Sequence, residues 1–184
     1  MTNRSTAAER RARFEAIFDE SYEPLLAYAR RRVGAEADDV VAETLTVAWR
    51  RLDDVPSDPL PWLYGVARKA ISDQRRAGRR RHALFEQARA HAKDREPGGP
   101  TSSQQPVFAA LARLSNTDRE AILLVAWEEL SAEQAAKALG CSIVAFRVRL
   151  HRARQRLRAH LIELDDGGRS VTAASVIAKE AKST

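Results

Sequence analysis

Residues 143–158, IVAFRVRLHRARQRLR, carry six arginines and one histidine without a single acid. Ile143, Phe146, Leu150, Ala153, Leu157 and Leu161 are threaded through the run and just past it. At about 100° per residue these six fall on one face of an α-helix. The rest of the chain must therefore supply a surface on which that stripe packs, while the cationic remainder stays in water. Arg147, His151, Arg154 and Arg158 flank the stripe on one side, and Arg149, Arg152 and Arg156 on the other. Val144, Ala145 and Val148 project from the far side, near the N-terminal end.

The residues just before this helix narrow its use. SAEQAAKALG, residues 131–140, opens with a capping box from Ser131 to Gln134 and stops at Gly140. Ser142 then caps the basic helix. A helix, a short glycine-containing turn and a second helix make a helix-turn-helix. In such a motif the first turns of the second helix present side chains to base edges in the major groove, and flanking arginines reach the phosphate walls. Val144, Ala145 and Val148 can touch thymine methyls, and Arg149 or Arg152 can reach guanine. A solvated amphipathic helix, or one that binds a membrane or an acidic protein, is the competing reading. The capped helix and glycine turn favour duplex DNA.

Composition agrees with an all-α fold. Among 184 residues there are only 8 glycines and 7 prolines, and alternating β-branched runs and Asn-Gly hairpin signals are nearly absent. The net charge of +6 and pI of about 10 point to a polyanionic partner. The single cysteine, Cys141, excludes a disulfide framework or a cysteine-rich zinc site within one chain. No apolar window reaches membrane-spanning length and the N-terminus lacks a signal-like apolar core, so the expected location is cytoplasmic, without membrane insertion.

The chain divides by composition. KDREPGGPTSSQQP, within residues 83–106, has the proline, glycine and serine content of a flexible linker. The expected architecture is two small helical domains, 1–82 and 107–164, joined by that linker and followed by a tail, 165–184, read as disordered in preference to a short helix. Residues 1–82 hold 16 basic and 13 acidic side chains and residues 107–164 hold 9 and 6, so the excess charge lies in the two domains. In the first domain, apolar residues from Phe14 to Val33 recur at helical spacing up to Gly34. Val41, Leu45, Ala48 and Leu52 form a second stripe with Trp49 beside it. Its helix has Asp38 and Asp39 in the first turn and Arg50 and Arg51 in the last, complementing the helix dipole. DDVPSDPLP breaks the chain, and WLYGVARKAISDQRR resumes as a helix with Leu63, Val66, Ala67 and Ala70 as its expected buried side.

That third helix leads into a second basic stretch, RKAISDQRRAGRRR, residues 68–81. Trp62 and Tyr64 lie one to two turns upstream, where aromatics can stack on unpaired bases or pack in a core. Nothing in the chain suggests catalysis. There is no glycine-rich phosphate loop and no nucleophile motif, and His82, His91, His151 and His160 form no pair with metal-ligand spacing. The carboxylates Asp39 and Glu43 share a face but lack a third ligand or a histidine, so no metal, cofactor or enzymatic activity is expected.

Taken together, these segments resemble bacterial RNA polymerase sigma factors of the extracytoplasmic-function (ECF) group of the sigma-70 family. DDVVAETLTVAW resembles the segment called region 2.2, and DPLPWLYGVARKAISDQRR resembles regions 2.3 and 2.4. LARLSNTDREAILLVAWEELSAEQAAKALGCS resembles region 4.1, and IVAFRVRLHRARQRL resembles region 4.2. The resemblance implies a dissociable initiation subunit that binds core RNA polymerase, through the β′ clamp helices and the β flap, and promoter DNA. It implies polymerase docking through Asp39, Ala42, Glu43, Thr46 and Arg50, with alanine at 42 where the family commonly has glutamine. It implies −10 recognition through Trp62, Arg68, Lys69, Ser72, Asp73 and Arg76, with the Asp53–Pro61 loop capturing a flipped base. It implies −35 recognition through Ser142, Ala145, Arg147, Val148, Arg149, His151, Arg152 and Arg154. An anti-sigma factor is a common partner in the family. The alternative is a stand-alone helix-turn-helix regulator that binds duplex operators as a dimer.

Overall fold

A computed structural model describes residues 6–86 and 105–180, with side chains over 6–77 and 106–164. The described residues are helical, without strands: α1 (Ala7–Val33), α2 (Ala37–Arg50), α3 (Leu60–Glu86), α4 (Gln105–Ala112), α5 (Asn116–Ala126), α6 (Ala132–Leu139) and α7 (Ile143–Glu180), with 3-10 turns at Gly34–Glu36 and Leu52–Asp54. They form two compact units. One lies within Met1–Gly98 together with Glu133–Gly140, the other within Gly99–Ala132 together with Cys141–Thr184.

The first unit is built on α1, α2 and α3. α1 starts at a reciprocal cap: Glu9 N–H donates to Thr6 Oγ1 at 3.2 Å and Thr6 N–H donates to Glu9 Oε2 at 2.8 Å. It ends at Gly34, whose φ of 62° leaves the helical region. The expected stripe of α2 is buried as read, with Val41, Leu45, Ala48 and Leu52 all inside and Val40 and Thr44 added to it. Thr44 Oγ1 donates to Val40 O at 2.7 Å, which satisfies a hydroxyl that would otherwise be stranded in the core. Leu63, Ala67 and Ala70 of α3 are buried as expected, whereas Val66 is half-buried and Tyr64 and Ile71 take its place. Tyr64 is drawn inward by Tyr28, its ring stacked at 4.6 Å and 22°. The Arg32 guanidinium lies 3.5 Å from the centroid of the same Tyr28 ring. Arg75 Nη2 donates to Arg32 O at 2.9 Å, closing the last turn of α1 onto α3.

Two arginines of α1 hold the segment between α2 and α3. Arg10 Nη1 reaches both Asp53 oxygens at 2.9 and 2.8 Å, and Arg13 Nη2 donates to Val55 O at 2.6 Å. α6 belongs to this unit through two neighbours. A Cβ on Gly65 of α3 would stand 3.1 Å from Ala138 O, so only glycine admits that backbone without a shift. Gln134 Nε2 also donates to Asp58 Oδ2 at 3.0 Å.

The second unit packs α4 and α5 against α7. Ser115 Oγ accepts from Asp118 N–H at 3.2 Å and caps α5. Arg119 closes the end of α4, donating to the carbonyls of Leu111 (2.8 Å), Ala112 (2.8 Å) and Leu114 (3.3 Å). Phe146 and Ala153 are fully enclosed and Leu150 is buried, as are Ala110, Leu124 and Leu130 of the same unit, while Ile143, Leu157 and Leu161 form the half-buried ends of the stripe.

Two expectations change at the helix ends. α3 runs through position 82 to Glu86, because nothing between Gly78 and Glu86 breaks a helix. Positions 87–104 of the expected linker lie outside the described residues. Of the two readings of the tail, disorder and helix, the backbone takes the second, continuing as α7 from Asp165 through Gly167 and Gly168 to Glu180; no proline interrupts it, and residues 173–182 are mostly good helix formers. Positions 181–184 lie outside the described residues.

The turn between α6 and α7 rests on Gly140, whose φ is 65°, with no atom within 4 Å of where a Cβ would stand. Gly140→Ala should therefore lower stability by about 1 kcal/mol through backbone strain alone. Urea unfolding should show a lower midpoint with an unchanged slope.

Candidate nucleic-acid interface

The start of α7 is fixed by Ser142, the first of the predicted −35 residues. Its Oγ accepts from Ala145 N–H at 3.2 Å and its carbonyl accepts from Phe146 N–H at 2.9 Å. With Phe146 anchored inside, the outward face follows from helical geometry. Ala145, Arg147, Val148, His151, Arg152 and Arg154 are all exposed, and Arg149 is half-buried. Arg147, Arg149, Arg152 and Arg154 make no ion pair with any described residue. Among the described residues these four arginines thus form an uncompensated cationic surface.

Arg156 departs from the expected pattern. The sequence put it among the arginines flanking the buried stripe, free to meet phosphate. Instead Arg156 Nη1 pairs with Asp118 Oδ2, a carboxylate in the first turn of α5 whose residue is only 7 % exposed. A nearly buried carboxylate needs a partner, and Arg156 is the cation that α7 brings to it. It clamps α7 to α5 and belongs to the scaffold of the interface.

On the first unit, the six predicted −10 residues share α3. Trp62, Arg68 and Ser72 are half-buried, and Lys69, Asp73 and Arg76 are exposed. Three of them form one local group: Arg76 Nη2 donates to Ser72 Oγ at 3.3 Å and lies 3.7 Å from Asp73 Oδ1. Lys69 is left facing solvent. Arg68 Nε is buried without a hydrogen-bond partner among the described residues. One neighbour was missed from sequence: Arg51 lies 5.8 Å from the Trp62 ring centroid. Eleven positions and a proline-broken loop separate the two, so no local spacing rule connects them.

The predicted docking residues form one exposed row on α2. Asp39, Ala42, Glu43, Thr46 and Arg50 all face outward, opposite Val40, Val41, Thr44, Leu45 and Ala48. Trp49 extends the row. It is 43 % exposed and meets the Phe14 ring edge-on at 5.3 Å and 77°, so the stripe residue read as lying beside the core is an outer one. Among the described residues no cluster of three histidine, cysteine or carboxylate side chains could hold a metal. No helix among them is long and apolar enough to cross a membrane.

Along the chain, a short helix, a glycine turn and a cationic helix seated by its apolar face follow one another in the order of the helix-turn-helix class of DNA-binding proteins. The comparison with known proteins is more specific. Residues 17–81 match the family model Sigma-70 region 2, and residues 104–157 match Sigma-70, region 4. The chain is 36% identical over 154 residues to RNA polymerase sigma factor NccH of Alcaligenes xylosoxydans xylosoxydans, covering 74% of this chain and 80% of that one. It is 32% identical over 166 residues to ECF RNA polymerase sigma factor SigL of Mycobacterium tuberculosis, covering 86% and 94%. Among solved structures it is similar to the sigma factor RpoE in complex with the anti-sigma factor NepR from Bartonella quintana, with 29% identity, a TM-score of 0.62 and 83% and 98% coverage. It is also similar to CnrH in complex with the cytosolic domain of CnrY, with 32% identity, a TM-score of 0.55 and 83% and 88% coverage. The chain belongs to the ECF group of the sigma-70 family and is a sigma factor directing promoter-specific initiation. A stand-alone regulator does not account for the region 2 match over α1 to α3.

Proposed function

We propose that this sigma factor divides promoter recognition between its two modules. Ser142, Ala145, Arg147, Val148, Arg149, His151, Arg152 and Arg154 bind the −35 duplex. Trp62, Arg68, Lys69, Ser72, Asp73 and Arg76 engage the opened −10 strand. Asp39, Ala42, Glu43, Thr46 and Arg50 dock on the β′ clamp helices of core polymerase, and the region 4 module meets the β flap. The setting is the cytoplasm, and an anti-sigma factor is a further partner, as for the RpoE neighbour. The observation that carries the reading is that Arg147, Arg149, Arg152 and Arg154 of α7 lack acidic partners among the described residues, on a helix whose other face packs through Phe146, Leu150 and Ala153.

The division of labour has a physical basis. Opening duplex DNA costs about 1.4 kcal/mol of stacking per base-pair step. A small protein offsets that at only a few positions by binding bases outside the stack, so the duplex anchor at −35 and the polymerase carry the remainder. Lys69 is placed to hold phosphate and carries little base selectivity.

Run-off transcription with core polymerase on a genomic library tests the role. Defined start sites are expected, and output no better than core alone would refute it. Arg149→Ala and Arg152→Ala should each weaken −35 binding and reduce the salt slope by about one unit where the lost contact is to phosphate. Unchanged promoter use by the double variant would remove both residues from the interface.

A further inference from the structure

Two large apolar side chains stand on the crest of α7, nearly opposite Phe146. Val144 is 67 % exposed and Val148 is 46 % exposed, and Val144 is the most exposed large hydrophobic residue of the described chain. Their position is costly to the free protein. β-branched residues are weaker helix formers than the alanine, leucine and arginine around them, and neither valine is buried in return. Between and around them lie Arg147, His151 and Arg152, all exposed, with no acid anywhere from 143 to 158. The surface is therefore an apolar ridge one residue wide between cationic flanks.

We propose that Val144 and Val148 read the 5-methyl groups of two thymines in the −35 duplex. This rests on the assignment of α7 to −35 recognition and adds what part of the base edge is read. The only apolar group on the major-groove floor is the thymine methyl, and it lies between two phosphate walls. An apolar ridge with arginines on both sides matches that cross-section. Four residues of α-helix advance about 6 Å and one base step about 3.4 Å, so the two methyls belong to neighbouring or next-neighbouring base pairs. A membrane surface fits less well. Interfacial helices bring a broad face with Leu, Phe or Trp, whereas the leucines and the phenylalanine of this helix up to position 161 are committed to its packed side or its half-buried edge.

The test uses the full chain with core polymerase on a promoter obtained by run-off selection. Each −35 thymine is replaced in turn by deoxyuracil, which removes the methyl and leaves base pairing intact. Promoter affinity is read by competition. Two positions should each show about fourfold weaker binding on loss of the methyl, the effect of one buried methyl-sized group. Val144→Ala should abolish the thymine-over-uracil preference at one of them and Val148→Ala at the other, with thermal unfolding no lower than the parent's, because both sites are exposed and alanine is the better helix former. Equal binding of thymine and uracil promoters by the unaltered protein would overturn the proposal while −35 recognition itself stood. A −35 element without thymine, or a methyl preference that survives both valine variants, would overturn it as well. Failure to bind any promoter with core polymerase would instead refute the wider assignment, and the methyl reading with it.

Discussion

Phe146→Ala is expected to unfold the C-terminal module and abolish −35 recognition while the chain still binds core polymerase. Phe146 is the largest fully enclosed side chain on α7, with 0 % of its surface exposed, and it is the residue through which the helix is held at its reading end. Truncating a buried phenylalanine costs about 3–5 kcal/mol. A domain of this size has a total stability of about 5 kcal/mol at the low end of the usual range, so the loss removes most of it. Arg156 and Asp118 cannot compensate, since their pair orients α7 on α5 but supplies no apolar contact where the ring was. Circular dichroism should show a lost or much lowered transition, and promoter-specific run-off transcripts should disappear. Pull-down with core polymerase should persist through α2. A variant that melts and transcribes like the parent would show that the α7 stripe does not hold the module together.

Much of this was legible in the sequence because helical amphipathicity is a local signal. Phe146, Leu150 and Ala153 follow from spacing alone, as do the α2 stripe and its exposed opposite row. A cap was also readable: Ser142 sits one residue ahead of its helix and bonds as expected. What spacing could not reveal was pairing across elements. Arg156 looks the same as Arg152 in the sequence, and only the approach of Asp118, 38 positions away, separates a scaffold cation from an exposed one. Tyr64, left open between core and base stacking, was settled for the same reason, since its partner Tyr28 lies on another helix. Arg51 near Trp62 and Trp49 against Phe14 likewise depend on how α1, α2 and α3 come together. The end of α3 was misjudged at 82, where no breaker follows, because charge and low hydrophobicity argue against packing and not against helix.

Reversing two charges on α2 should separate docking from folding. Asp39→Arg with Glu43→Arg alters only exposed side chains one turn apart on the outward row. Surface changes of this kind move stability by about 0.5 kcal/mol each, with a somewhat larger loss at Asp39, which complements the N-terminal dipole of α2. If the row docks on polymerase, the effect on binding is far greater. Truncating one member of a desolvated charge pair costs about 2–5 kcal/mol, and like charges brought together cost several more. Affinity for core should fall by about 100-fold or beyond. Asp39→Asn with Glu43→Gln should fall between the parent and the reversal, since amides keep hydrogen bonding and lose only charge. Because α7 is untouched, binding of the double variant to a −35 duplex should match that of the parent. Loss of transcription with that binding intact is the result that a stand-alone operator-binding protein cannot give, since such a protein has no use for α2 as a polymerase contact. Unchanged affinity for core in the reversed variant would move the docking surface elsewhere on the first unit, with the exposed Trp49 beside Phe14 the next place to look.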